Sequence, residues 1–337
     1  MNNEVIKRLK NAGLLSDQSH DLGFVSTGSY ALNKIISGDY MKGIPIGMIT
    51  QFHGEASTAK TVFATHILKE AQSKGYYSML VDSENAYNPT FARQLGVDPE
   101  RLIYSTPETL EESFQVMEET ITSIREADPD TPIVIAYDSI AVSPSKAEYE
   151  AENYDGNNMQ GAIRAKATGA CLRKINPLMR KHKVALIVIN QIRSKVGVMY
   201  GNPETMAAGG KSLDYYLGVN LKCISNKTAD LVRDDNKQVV GITGTVRNTK
   251  NKVSIPFREC EFELMYDEGL NSCAGMLKQL VLDNIVDQNG AWYSWEGLKF
   301  QRKEFDESFT TGDKFAKLRL KVGIEPQLPA TKELRAE

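Results

Sequence analysis

The sequence predicts an α/β fold with a mainly parallel central sheet flanked by helices. Three observations predict it. Between residues 47 and 192, short apolar runs alternate with longer segments of helical spacing. One run leads through GEASTAKT, Gly54 to Thr61, into such a helical segment. Two other runs close on carboxylates, at Asp82 with Glu84 and at Asp138. Ligands bind at the carboxyl edge of open parallel sheets, so these acids sit where chemistry is expected.

Taken in order, residues 4–15 read as a short amphipathic helix with Val5, Ile6, Leu9 and Leu14 on one side. Charges inside that pattern exclude a secretion signal. A connector rich in Gly, Ser and Asp follows at 16–23, then a turn leading into a helix at 26–38. Residues 47–54 are a strand and 61–75 a helix ending at a glycine. Residues 76–84 are a strand, 109–127 a helix and 131–139 a buried strand. Residues 161–182 are a helix with a bend expected at Pro177, and 184–192 a further buried strand. From 217 to 266 the pattern turns β-rich and extends the sheet. Residues 275–337 form a small C-terminal region, helical then mixed, with a loose tail. The chain divides into an N-terminal helix and linker at 1–25, a core at 26–270 and a C-terminal region at 271–337.

Composition narrows the function. Hydrophobic residues make up 41% of 337, ordinary for a soluble globular protein. No apolar run approaches the ~18 residues of a membrane span. The four cysteines form no CxxC pair and only four histidines accompany them, so a zinc cluster is not expected. Reduced, buried thiols in a cytoplasmic setting are expected instead. The net charge of −3 gives no support to polyanion binding by the whole surface, so any nucleic-acid site is local.

GEASTAKT departs from the usual phosphate loop at one place: Ala59 stands where the second glycine belongs. The loop spans Gly54, Glu55, Ala56, Ser57, Thr58 and Ala59, with Val62 following Thr61. In such a loop backbone N–H groups surround the phosphates, Lys60 meets the β/γ-phosphates and the Thr61 hydroxyl holds Mg²⁺. Alanine fits Ala59 without strain if its φ is negative, and that conformation is expected here. Asp138 matches the carboxylate that orders a magnesium water shell. Glu84 is placed to orient or deprotonate an attacking water.

With these residues in place, the chain resembles bacterial RecA and its phage-encoded relatives, a family of ATP-dependent DNA recombinases. The resemblance runs through VSTGSYALN, GEASTAKT, VDSENAYNPTFARQLGVD, YDSIAVSPSKAE, INQIRSKVGVMYGNPET, VRNTKNKVSIPF, EFELMYDEGLN and GAWYSWEG, in order, over roughly residues 25–300. It implies a RecA-like P-loop ATPase core using ATP and Mg²⁺. It implies that Thr61 and Asp138 serve the metal, that Glu84 is the base and that Gln191 senses the γ-phosphate. Phe91 and Tyr266 would lie against the nucleotide. Asn88 stands where the family has an aspartate that reads the adenine amino group. Lys250 and Lys252 match paired lysines that reach a neighbouring subunit's ATP. The short N-terminal helix and reduced C-terminal region suggest a phage-encoded member.

Two irregular stretches fit DNA. Residues 192–212 hold Arg193, Lys195 and Lys211 against one acid, with glycines that let backbone approach a ligand. Val196, Gly197, Gly209 and Gly210 belong to this stretch. Cations and an apolar tip suit a single strand whose phosphates are held and whose bases are separated. The second stretch, 152–166, matches the family's first DNA loop, with Met159 and Arg164 and, further along, Arg173. The implied partners are single-stranded DNA, a homologous duplex, further copies in a helical filament, and single-strand-binding and mediator proteins. Two alternatives stay open at this stage. A replicative helicase on the same core would carry a large N-terminal assembly domain. A weakly catalytic mediator is suggested by Ala59 and Asn88 but opposed by the complete set Lys60, Thr61, Glu84 and Asp138.

Overall fold

The computed structural model describes residues 4–5, 7–8, 22–151, 159–194, 204–206, 210–225 and 230–324. Glu4, Val5, Lys7 and Arg8 are helical, and the rest of the expected 4–15 helix lies outside the described residues. Helix α1 spans Tyr30–Ser37. Strand β1 (Ile49–Gly54) runs into α2 (Lys60–Ser73), then β2 (Tyr77–Asp82), α3 (Pro89–Gln94) and β3 (Leu102–Ser105). Helix α4 (Leu110–Ala127), β4 (Ile133–Asp138), α5 (Lys146–Tyr149), α6 (Met159–Lys181) and β5 (Val184–Ser194) follow. Then come α7 (Gly210–Tyr216), β6 (Leu217–Ile224), β7 (Val239–Asn251), β8 (Glu259–Met265), β9 (Gly269–Leu270) and α8 (Met276–Leu282). Beyond α8 stand a three-stranded antiparallel sheet over residues 287–301 and the helices Arg302–Ser308 and Ala316–Lys321.

The main sheet runs β9-β8-β7-β6-β1-β5-β4-β2-β3. The six strands from β6 to β3 pair in parallel, while β7, β8 and β9 extend the sheet antiparallel. The β-rich stretch after 217 therefore lengthens the sheet as expected. Helix α6 runs through Pro177.

Alternation along the buried strands divides the core between two faces. Val134, Ala136, Ala185, Ile187 and Ile189 pack with Phe63, Ile67 and Leu68 of α2. Ile133, Ile135, Tyr137, Leu186 and Val188 pack with Phe114, Met117 and Ile121 of α4 and Leu172, Ile175 and Met179 of α6. Strands buried on both faces need such continuous apolar runs, and β4 and β5 supply them. No helix among the described residues is long and apolar enough to cross a membrane.

A third cluster gathers Phe300, Phe305, Phe309 and Phe315 around Leu277 and Leu280. It reaches the core through Tyr30 and Tyr40. Asp283 clamps the junction: it pairs with Lys34 at 2.8 Å and accepts from the Tyr40 hydroxyl at 2.9 Å.

The stretch VSTGSYALN is a capping device. Ser29 caps α1, its side chain accepting from Leu32 N. Buried Asn33 holds the entry turn: Oδ1 accepts from Thr27 N at 2.9 Å and Thr27 Oγ1 at 2.8 Å. Its Nδ2 donates to Tyr40 O at 2.9 Å and Ser26 Oγ at 3.1 Å. Asn33→Ala strands a buried N–H and carbonyl, so denaturant unfolding should show a loss of about 2–4 kcal/mol. A loss below ~1 kcal/mol would contradict this reading.

Candidate nucleotide and DNA site

Parallel register brings four strand ends to one edge. Gly54 is opposite Gln191, and Asp82 is opposite Asp138. With β1-β5-β4-β2 adjacent, the phosphate loop, Gln191, Asp138 and the Asp82–Glu84 segment lie side by side. Gly54 is required by space: a Cβ there would sit 2.4 Å from Cys223 O and 2.9 Å from Thr58 Oγ1. The loop turns at Glu55–Ala59, and Thr58 Oγ1 donates to Glu55 O at 2.9 Å. Lys60 is buried and donates to Glu55 O and, at 3.3 Å, to Thr58 Oγ1.

Ala59 corrects the sequence expectation. Its φ is 63° and its ψ 13°, in the left-handed region. That conformation costs an L-residue roughly 1–2 kcal/mol, and glycine avoids it. The usual glycine therefore has a conformational reason, and alanine here is strained. The backbone nonetheless starts α2 in register, with Phe63 N donating to Ala59 O at 3.0 Å.

Thr61 Oγ1 donates to Asp138 Oδ2 at 2.6 Å, tying the first turn of α2 to the end of β4. Burial pushes the Asp138 carboxyl up to about 6; Glu84 and Asp82 add to the rise, while Thr61 and Lys60 oppose it. A nearby cation favours the ionised form, so divalent metal and Asp138 ionisation support each other. A threonine hydroxyl and a carboxylate are hard oxygen donors of the kind Mg²⁺ accepts while keeping most of its waters. Among the described residues no group of three or more His, Cys, Asp and Glu side chains is arranged to hold a metal ion by itself, and a water-rich magnesium site needs none.

Glu84 is exposed, and its Oε1 accepts from Ser139 Oγ at 2.7 Å. Asp82 is buried and organises that turn. It accepts from Glu84 N at 3.1 Å, Tyr87 N at 2.9 Å and Tyr104 Oη at 3.1 Å. Burial and then Asp82 push the Tyr104 hydroxyl up to about 12. Asp82 thus shapes the segment that carries Glu84. Sequence reasoning named neither Ser139 nor this role for Asp82; the hydroxyl directly after Asp138 was the available signal.

A cavity of about 330 Å³ unites most of the expected nucleotide residues. Ala56, Ser57, Thr58, Ala59, Lys60, Thr61, Val62, Glu84, Asp138, Gln191 and Tyr266 line it. Ile189, Ile242 and Leu264, which the sequence did not single out, complete its wall. Asn88 and Phe91 line an adjoining slot that shares Thr61 and Asp138. Lys60 is the sole cationic side chain among the described residues lining the larger cavity.

Lys250 and Lys252 lie elsewhere in the subunit. Lys250 Nζ donates to Asp214 O and Lys252 Nζ to Tyr215 O at 3.4 Å. Both thus rest on carbonyls near the C-terminal end of α7, favourable ground for cations. Burial and then the neighbouring Lys252 lower the pKa of Lys250.

The helices that begin within the two stretches, α6 and α7, pack together. Within 192–212, residues 192–194 pair antiparallel with 204–206, so part of this stretch is a β-ribbon. Arg193 lies in that ribbon, and Gly210 and Lys211 open α7. Lys195, Val196, Gly197 and Gly209 lie outside the described residues. Helix α6 packs on α7 where a Cβ on Gly169 would meet Ser212 Oγ at 3.3 Å. Met159 begins α6, and Arg173 is exposed on it. Arg164, by contrast, pairs with Glu148 at 3.1 Å and donates to Ala141 O at 3.3 Å. Its guanidinium is held by α5 and the 138–141 turn. Lys166 is exposed seven residues before Arg173, on the same side of α6, and was not named from sequence.

Comparisons with known proteins match this geometry. The family model for the RecA N-terminal domain covers residues 7–271. Protein RecA of Chlorobaculum tepidum is 37% identical over 80% of this chain and 73% of its own length. The chain belongs to the RecA family. Protein RecA of Rhodospirillum rubrum is 36% identical over 83% of this chain and 72% of its own. That of Heliobacterium modesticaldum is 36% identical over 81% and 74%.

Ala59→Gly relieves the left-handed strain, partly offset by the freer unfolded chain. Equilibrium unfolding should show a gain of ~0.5–1 kcal/mol. Unchanged or lower stability would mean that the φ of 63° carries no cost.

Proposed function

We propose that this chain is an ATP-dependent homologous-recombination protein. It polymerises head-to-tail on single-stranded DNA, pairs that strand with a homologous duplex and hydrolyses ATP between subunits. The observation that carries this reading is the cavity in which Lys60, Thr61, Asp138, Glu84 and Gln191 meet, with β5 leading from Gln191 straight into the 192–212 stretch.

Each residue has a physical task. Lys60 and the loop N–H groups bind the β/γ-phosphates. Thr61 and Asp138 would hold Mg²⁺, which would supply positive charge against the charge developing on the phosphates. Glu84, oriented by Ser139 and by the Asp82-organised turn, positions the attacking water and accepts its proton. Gln191 meets the γ-phosphate and connects it to the DNA side. Tyr266 and Phe91 flank the nucleoside.

A single lining cation is little charge against a triphosphate. Lys250 and Lys252 supply the remainder from the adjacent subunit, acting as an arginine finger does elsewhere. A head-to-tail contact that does not close generates a filament, with ATP at every interface. Arg193, Lys195, Lys211, Lys166 and Arg173 hold phosphates, Met159 and Val196 separate base steps, and Gly197, Gly209 and Gly210 let backbone approach. Because these contacts grip backbone, base pairing between strands supplies sequence fidelity. The reading places the protein in the bacterial cytoplasm, as a phage-encoded member working beside single-strand-binding and mediator proteins.

ATP hydrolysis with and without single-stranded DNA, combined with negative-stain microscopy, tests this function. DNA should stimulate turnover, and long filaments should form with ATP. Closed rings or DNA-independent turnover would contradict it. Glu84→Gln keeps shape and removes the base, so ATP and DNA binding should persist while turnover falls by ~10²-fold or more. Filaments of that variant should outlast the parent's; normal turnover would remove Glu84 from its role.

A further inference from the structure

We infer that Gln51 is a positioning residue for hydrolysis: with Asn190 and Asn220 it forms a buried amide ladder that ties Gln191 on β5 to Lys250 on β7. The inference rests on the function proposed above, which gives Gln191 and Lys250 their tasks. Gln51 lies on β1, between the strands that carry the other two amides. Gln51 and Asn190 are fully buried, and Asn220 is 7% exposed. Earlier on the same face β1 and β5 present only apolar groups to the core, Ile49, Leu186 and Val188. The amides appear at the carboxyl ends of the strands, level with the site. Buried amides are tolerated only with hydrogen-bond partners.

The partners form one directed chain. Gln191 N donates to Asn190 Oδ1 at 2.9 Å. Asn190 Nδ2 donates to Gln51 Oε1 at 3.1 Å, and Gln51 Nε2 donates to Asn220 Oδ1 at 2.9 Å. A backbone N–H can only donate, so it fixes which end of Asn190 faces it and with that the direction of each following amide. Asn220 is in turn the register partner of Lys250 across the β6–β7 pair. The register shifts there between Asn248 and Lys250, and the intervening Thr249 donates its hydroxyl to Asn220 O at 3.1 Å. A bulge of this kind re-aims the side chain beside it, here Lys250. Gln51 therefore stands midway between the backbone of Gln191 and the strand that presents the lysine. None of the three amides lines the nucleotide cavity. Gln51 thus acts through Gln191 and Lys250, and its loss should change turnover and leave nucleotide affinity alone.

Four full-length proteins test this: the parent, Gln51→Met, Gln51→Glu and Asn220→Ala. Each is measured for binding of fluorescent N-methylanthraniloyl-ATP with Mg²⁺ and for DNA-dependent ATP hydrolysis. Methionine keeps the length of the side chain and breaks both links. Glutamate keeps both. Ionised, it accepts from Asn190 and from a turned Asn220 amide; protonated, its O–H takes the place of Nε2. Gln51→Met and Asn220→Ala should each lower kcat by ~10-fold or more, since small misplacements of charged or sensing groups act on turnover. Their nucleotide affinity should stay within ~3-fold of the parent, and so should the kcat of Gln51→Glu. Asn220→Ala breaks the ladder at its other end and carries the test should Gln51→Met not fold. Affinity that falls in step with kcat, or Gln51→Glu as slow as Gln51→Met, reduces the ladder to core packing and overturns the inference. A parent that hydrolyses ATP on DNA while Gln51→Met and Asn220→Ala match it leaves the proposed function standing and removes only the ladder. A parent without DNA-stimulated hydrolysis removes that function and the inference with it.

Discussion

The 2.6 Å hydrogen bond from Thr61 to Asp138 joins the two elements on which the site depends. One partner opens the helix after the phosphate loop; the other ends a strand two positions away in the sheet. The bond forms only if β1, β5 and β4 are parallel and end level with one another. Everything functional follows from that alignment: Gln191 beside the loop, and Glu84 beside Asp138 through Ser139. A register slip of one residue in β4 would turn Asp138 to the other face, where α4 and α6 pack.

On the proposed function the site is chemically incomplete within one subunit. Burial raises the Asp138 carboxyl, and the neighbouring Glu84 and Asp82 add to the rise. In the proposed function magnesium and Lys60 would balance part of a triphosphate's charge, and within the subunit Lys250 and Lys252 rest on α7 instead. Helix α7 begins at Gly210, inside the 192–212 stretch. In the proposed function the same short helix would meet the DNA side at one end and the two lysines at the other, giving DNA binding a direct mechanical route to them.

Much of this was legible in the sequence because periodicity and strand-end chemistry are local signals. Asp138 and Glu84 end apolar runs, and Lys60 and Thr61 follow a glycine turn, so they could be placed before any coordinates. Ala59 could not, since residue type alone does not reveal the sign of φ; the left-handed turn is imposed by closing the loop onto α2. Arg164 is the converse case. The resemblance assigned it to DNA, but its partner Glu148 is set by the packing of α5 on α6, a tertiary relation absent from the spacing. Strand pairing within 192–212 was likewise hidden, because its register depends on residues ten to fourteen apart in a stretch without hydrophobic alternation.

The central claim is that ATP is hydrolysed by residues from two subunits. Mixing two inactive proteins tests it most directly. One carries Lys60→Ala and lacks a phosphate site; the other carries Lys250→Ala and Lys252→Ala and lacks the completing charge. In mixed filaments some intact sites of the second meet intact lysines of the first. A finger of this kind is worth ~10³–10⁵ in rate, so even a minority of rebuilt interfaces should raise DNA-dependent hydrolysis well above the sum of the separate proteins. Activity that never exceeds that sum, in filaments shown to contain both proteins, would contradict the two-subunit site.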